Sequence, residues 1–249
     1  MFECLKENGF DVRFVSHAKA IVEGDFPHVV AEIQTILLDA HVPIREIIGS
    51  GGGEAKGTQR LRRAFAQLGW TKQTFEIRKT INGKERESQS HEVDHVKTFN
   101  NVGTIALEIE WNNKDPFFDR DLENFKRLHA EGAISVGIIL TRGESLQNKL
   151  HQIVLDYVKQ EGIGSFEDLD RKFGLTPTRR QRDEIDKRAS REKNPIPFQD
   201  AWTDMFISDK YGAATTHWRK LLDRINRGVG NPCPLILIGL PASIVALDE

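Results

Sequence analysis

The stretch GTIALEIEWNNKDPFFDRDLENFKRLHAEGAISVGIILT, residues 103–141, decides the fold. Its first part, GTIALEIEW (103–111), alternates as a strand does. KDPFFDRDLENFKRLHAEG (114–132) then reads as a helix, with Asp115 as its cap and Pro116 in the first turn. Phe118, Leu122 and Phe125 fall on one stripe of that helix. AISVGIILT (133–141) is almost wholly apolar, the pattern of a central strand covered on both faces. A strand, a crossover helix and a second strand imply parallel pairing, hence an α/β chain with a mixed sheet.

The flanks extend this unit. DVRFVS (11–16) alternates like a strand, and DFPHVVAEIQTILLDA (25–40) reads as a helix with Asp25 as cap and an early Pro27. GSGGGEAKG (49–57) is expected to be a flexible loop, and TQRLRRAFAQLGW (58–70) a helix ending at Gly69. TFEIRKTINGKERES (74–88) reads as a hairpin turning at Asn82-Gly83, followed by a separate strand HEVDHVK (91–97). SLQNKLHQIVLDYVKQEG (145–162) is amphipathic and helical, and PLILIGLP (234–241) is a final apolar strand. LTPTRRQRDEIDKRASREKNPIPF (175–198) is rich in both charge signs and reads as a solvated helix or a mobile arm for phosphates. YGAATTHWRKLLDRINRGVG (211–230) is polar with a helical middle, and its hydroxyls and basic residues suit phosphates or bases. The expectation is a single domain over 1–249 with a polar, basic segment at about 175–230.

Bulk properties narrow the function. The chain has 249 residues, 39% apolar and 29% charged, enough to bury a real core. No apolar run is long enough to span a membrane. The start MFECLKENGFDVRF lacks a basic, then apolar leader, so no secretion signal is expected. Cys4 and Cys233 stand alone at opposite ends and make no metal spacing, which fits a reducing, cytoplasmic setting. A net charge of −2 and a pI near 6.5 argue against coating nucleic acid by charge alone, but not against a DNA enzyme with a local basic surface. SGGG (50–53) lacks the Lys-Ser/Thr of a phosphate loop, so no nucleotide cofactor is implied.

The oddity of the central strand is its acids. Alternation puts Thr104, Ala106, Glu108 and Glu110 on one face, opposite Ile105, Leu107, Ile109 and Trp111. The two carboxylates then lie roughly 6–7 Å apart along the strand. Asp94 on the preceding strand faces Glu108 if the two strands form an antiparallel hairpin. Oxygen ligands on a rigid sheet suit Mg²⁺, which serves phosphodiester hydrolysis. An exposed sheet face on which the acids pair with Lys and Arg explains the same pattern, and on spacing alone is the better account. Downstream residues shift the balance. Asn112 and Asn113 end the strand, and Asn reads base edges. LTRGE places Arg142 at a loop tip after Thr141, and Arg is the commonest reader of guanine.

VDHVK…ALEIEW resembles the Asp…Glu-x-Lys core of PD-(D/E)xK nucleases, with an acid where the Lys usually stands. LRRAFAQLGW, ALEIEWNN and IILTRG together resemble the BglII/BstYI group of type II restriction endonucleases, relatives of BamHI, best over a catalytic core of about 55–145. The resemblance implies a restriction-endonuclease-like mixed central β-sheet flanked by helices. It implies Asp94, Glu108 and the Ile109 carbonyl as ligands of Mg²⁺, with Glu110 in the place of the family's Lys to orient or deprotonate the attacking water. It implies Asn113 as a base contact beside Asn112, with Thr141 and Arg142 at the basic position after the buried strand. Glu54, Gln73 and Glu76 are alternative upstream residues to complete the site. The resemblance further implies a homodimer on double-stranded DNA, cutting a palindrome with a GATC centre. A less specific repair nuclease or junction resolvase, and an inactive DNA-binding module, are the competing readings. Plasmid digestion separates all three.

Overall fold

The computed structural model of the protein describes residues 1–49 and 54–247. The elements run α1 (Glu3–Glu7), β1 (Asp11–Val15), α2 (Ala18–Asp25), α3 (Pro27–Leu38), β2 (Val42–Pro43), α4 (Ile44–Ile48), α5 (Lys56–Gln67), β3 (Thr71–Ile81), β4 (Lys84–Phe99) and β5 (Gly103–Glu110). They continue with α6 (Phe117–Ala130), β6 (Val136–Arg142), α7 (Glu144–Gln160), α8 (Phe166–Phe173), α9 (Arg179–Ala189), α10 (Phe198–Tyr211), α11 (Trp218–Asn226), β7 (Leu235–Leu240) and β8 (Val245–Ala246). No helix of the described residues is long and apolar enough to cross a membrane.

Six strands form one mixed sheet in the order β1-β7-β6-β5-β4-β3. β5, β6 and β7 are parallel, while β4 and β1 add antiparallel strands on either side. The parallel β5–α6–β6 unit is the one the sequence predicts, and the expected α/β, restriction-endonuclease-like sheet flanked by helices is observed. β6 and β7 are buried along their whole length, which explains their unbroken apolar sequences. Helices cover both faces. Ile105, Leu107 and Ile109 of β5 face a large core with residues from α3, α5, α7 and α10, whereas Ala106 faces a smaller core with Phe118, Leu122, Phe125 and Leu128 of α6 and Trp218 and Leu221 of α11.

Several local expectations are corrected. The hairpin turns at Asn82-Gly83, both with positive φ, as expected. Its second arm, however, runs unbroken from Lys84 to Phe99, because HEVDHVK continues the same ladder. Asp25 ends α2 and does not cap α3, whose N-cap is Phe26. Asp115 does not cap α6 either; its carboxylate is taken by Lys220 and Arg224, at 3.2 and 3.0 Å. Residues 179–189 of the charged segment form a helix closed by a Thr178–Gln181 capping box, with Arg180 and Arg188 tied to Asp209 and Asp204 of α10. Part of the 175–230 segment is core: Ala201, Trp202, Met205 and Phe206 of α10 are buried. Residues 50–53 of the Gly-rich loop lie outside the described residues.

Candidate active site

The two strand acids are deeply buried. Glu108 is 7% exposed and Glu110 3%, so the reading of an open sheet face paired with surface cations does not hold. The cause is α6, which packs across this face of β5 and shuts the acids under it. Burying carboxylates without full compensation is costly, and the protein responds by keeping protons on them. Burial first, and then the nearby charges of Asp121, Asp94 and Glu110, holds the Glu108 carboxyl well above the usual glutamate range. Glu110 is raised as well, by burial and by its contact with Asp121.

Asp94 lies where the hairpin expectation puts it. The β4–β5 ladder runs from Phe99↔Gly103 to His95↔Leu107 and ends one position short of Asp94 and Glu108, and the Asp94 charge acts on Glu108. Opposite, on β3, the register slips: Thr71 pairs with Val96 and Gln73 with Val93, so Lys72 alone faces Asp94 and His95. Such a bulge re-aims a side chain. Asp94 is exposed and pairs with Lys72 at 3.6 Å. Among the upstream candidates, Gln73 sits beside this bulge. Glu76 lies further out, bound to Arg78 and Ser88, and Glu54 pairs with Arg62.

Sequence reasoning missed Asp121. It projects from α6 onto the acids and is 2% exposed. Burial raises its pKa too, against the pull of hydrogen bonds from Glu110 and Arg120. The hydrogen bond between the two carboxyls raises Glu110 and lowers Asp121. Arg120 closes the group, its Nε and Nη2 each 2.8 Å from Asp121 Oδ1 and its Nη2 3.7 Å from Glu110 Oε1. The detectable signal was an Asp lying inside the apolar stripe of FFDRDLENF, between Phe118 and Phe125.

The donor set suits a hard divalent cation. Asp94, Glu108 and the Ile109 carbonyl offer oxygen, and Asp121 Oδ2 is buried with no hydrogen-bond partner among the described residues. Burial and the neighbouring acids raise Glu108, Glu110 and Asp121, and a bound cation would favour their ionised forms. As they stand, no three His, Cys, Asp or Glu side chains of the described residues converge closely enough to hold a metal ion. Assembling the ligands therefore requires side-chain rotation.

The strand ends carry the remaining expected residues. Asn113 is exposed and donates from Nδ2 to Glu110 Oε2 at 2.8 Å; Asn112 beside it is half-buried. Thr141 pairs with Glu110 across β5 and β6 but is fully buried, not at the surface. Arg142 is not at a loop tip. It is the last residue of β6 and fully buried, with Nε on the Trp111 carbonyl (2.7 Å), Nη2 on Thr215 Oγ1 (2.6 Å) and the Thr216 carbonyl (2.8 Å), and its plane 5.0 Å from the Tyr211 ring. A guanidinium used this way fastens two loops and offers no open fork to a base. The loops it joins also pair directly, through Thr216 N to Asn113 O and Asp115 N to Ala214 O. The Thr215–His217 cluster thus faces inward, not toward phosphates. Beside it, a polar cleft of about 550 Å³ opens between Asp115, Lys220, Asp223, Arg224, Asn226 and Arg227.

A mixed sheet with buried acids at the ends of its parallel strands, an amide bonded to one of them and a loop locked beside both is an arrangement for chemistry next to recognition. Residues 10–240 match the family model described as restriction endonuclease BglII/BglIII. The chain belongs to this family. The match covers nearly the whole chain, well beyond the 55–145 core on which the resemblance rests, and takes in β1, α10, α11 and β7. Membership of the restriction endonuclease BglII/BglIII family makes DNA the substrate and hydrolysis the chemistry. A comparison with curated proteins gave no match.

Proposed function

We propose that the protein is a type II restriction endonuclease that hydrolyses phosphodiester bonds of double-stranded DNA at a short palindromic site, as a homodimer using Mg²⁺. The observation that carries this reading is the burial of Glu108 and Glu110 on one sheet face, with Asp94 near enough for its charge to act on Glu108 and Asn113 bonded to Glu110. A purely structural strand has little reason to bury two acids on one face beside a third.

Asp94, Glu108 and the Ile109 carbonyl would hold the cation. Bound there, a divalent ion polarises a phosphoryl oxygen and lowers the pKa of water. Glu110 orients the attacking water and, once its own proton has left, accepts one from that water. The phosphorus–oxygen bond on the far side of the phosphate then breaks. α6 excludes bulk water from this face, which strengthens every charge interaction within it. Asn113 reads a base edge: one Nδ2 hydrogen holds Glu110, and the second, with Oδ1, remains for an adenine. Recognition and chemistry are therefore joined through one hydrogen bond. The family resemblance favours a GATC-centred site, and a two-fold site matches a two-fold dimer.

Plasmid digestion with Mg²⁺ tests the reading. Discrete fragments are expected. Smears or structure-dependent nicks point instead to a less specific nuclease, and intact plasmid to a binding module. Glu108→Ala should slow cutting by on the order of 10²–10³-fold or more while leaving DNA binding in Ca²⁺ largely intact. Cutting by that variant at near the parent rate removes Glu108 from the metal site.

A further inference from the structure

Hydrolysis at this site presents a charge problem. Asp94, Glu108, Glu110 and Asp121 all feel one another, and a phosphodiester brings one more negative charge. The strand position that carries Lys in related nucleases is Glu110 here. Among the described residues, the positive groups paired with these acids are Lys72, on Asp94, and Arg120, on Glu110 and Asp121. Lys72 is held out at the bulge by Glu92 as well, at 2.6 Å. Arg120 is the cation that reaches the buried acids.

Its placement is specific. The Arg120 side chain is 54% exposed, but it is bonded to an acid that is only 1% exposed and lies close to another at 4%. Its guanidinium also lies 4.4 Å from the Phe117 ring, three residues back on α6. One edge of the fork, Nε and Nη2, is thereby fixed on Asp121. Nη1, on the other edge, makes no hydrogen bond among the described residues. A planar guanidinium anchored on one edge and open on the other matches the oxygens of a phosphate. Its anchoring also removes in advance the rotamer entropy that a free Arg loses on binding.

We propose that Arg120 binds the phosphodiester at the cut position through its open edge, and that Asp121 is the positioning residue that holds the other edge. This rests on the nuclease reading above, and deepens it by naming the positive group that the strand motif lacks.

DNA binding in Ca²⁺, measured with the full chain over a range of salt, tests this directly. For Arg120→Met the slope of log Kd against log salt is expected to fall by about one for each protomer bound. Arg120→Lys keeps the slope and cuts several-fold more slowly, since it keeps the charge and loses the fork. An unchanged slope and affinity in Arg120→Met overturns the assignment. A duplex with a neutral methylphosphonate at the cut position then locates the contact. The parent should lose affinity on it while Arg120→Met loses little or none; equal losses in both place Arg120 on another group and overturn the proposal. Asp121→Asn is expected to raise KM for DNA more than it lowers kcat, whereas a fall in kcat alone removes the positioning role. Melting curves of each variant exclude loss of the fold as the cause. If the parent itself cuts no DNA, the nuclease reading fails, while the salt slopes still decide whether Arg120 meets a phosphate.

Discussion

Asn113 Nδ2 lies 2.8 Å from Glu110 Oε2, so the residue we propose as a base reader is bonded to the residue we propose for the attacking water. Asn113→Ala is expected to weaken cognate binding by about 1–3 kcal/mol, the worth of a good bidentate base contact. Non-cognate binding should change much less. Titration of both duplexes in Ca²⁺ checks this, and equal losses on the two would remove Asn113 from base reading. The same variant also strips Glu110 of a partner, so its cutting rate should fall further than its binding.

Arg142 fastens the loop after β5 to the loop after α10, and it does so from inside the protein. Arg142→Met leaves the Trp111 and Thr216 carbonyls without their donor and should cost on the order of 2–4 kcal/mol of stability. Thr215→Val removes a single acceptor and should cost about 1 kcal/mol. Denaturant unfolding measures both. A base-reading Arg142 would show the opposite pattern, with stability kept and sequence preference lost.

Protonation of the buried groups makes stability depend on pH in two directions. Burial raises the Glu108 and Glu110 carboxyls above 4.5 in the folded protein. Their contribution is whole below that value and is lost as pH rises through the raised values. His217 runs the other way: burial, then the charges of Arg142, Lys220 and Arg219, lowers it from 6.5 to about 4. Its contribution is whole above 6.5 and is lost as pH falls toward 4. Melting in a chelator should therefore show loss on both sides. Glu110→Gln flattens the alkaline side and His217→Asn the acid side. Added Mg²⁺ should restore the alkaline side by mass action.

Gly239 of β7 has no room for a side chain. A Cβ there would stand 2.7 Å from the Gly143 Cα and 2.9 Å from Asp11 Oδ2. That carboxylate caps the start of α7 by accepting from Glu144 N at 2.7 Å. Gly239→Ala should destabilise the protein by about 1–3 kcal/mol, measured as a lowered Tm. A Tm equal to the parent's would show that β1 can yield without cost.

The parts of the fold legible in the sequence were those set by local pattern. β5, α6 and β6 follow from alternation, a stripe and an unbroken apolar run, and the hairpin from Asn82-Gly83. The parts that were not legible depend on distant partners. Arg142 ends an ordinary strand, and its burial comes from Tyr211, Thr215 and Thr216, about seventy residues away. α10 has apolar spacing at Ala201, Trp202, Met205 and Phe206, but it follows a charged run whose local pattern is that of a surface. In the site, Asp94 and Glu108 were readable from strand parity. Asp121 was not, because its burial against Glu110 arises only when α6 packs across β5.

The bare margin of the sheet at β3 has a consequence for self-association. A strand with one row of backbone groups unpaired invites another strand to join it. Here the invitation is declined along the strand: Lys72, Glu76 and Arg78 put charge on it, and beside Lys72 the neighbouring β4 carries a bulge that breaks the regular register. Another strand joining here would have to match that row of mixed charges, which disfavours pairing by an arbitrary chain.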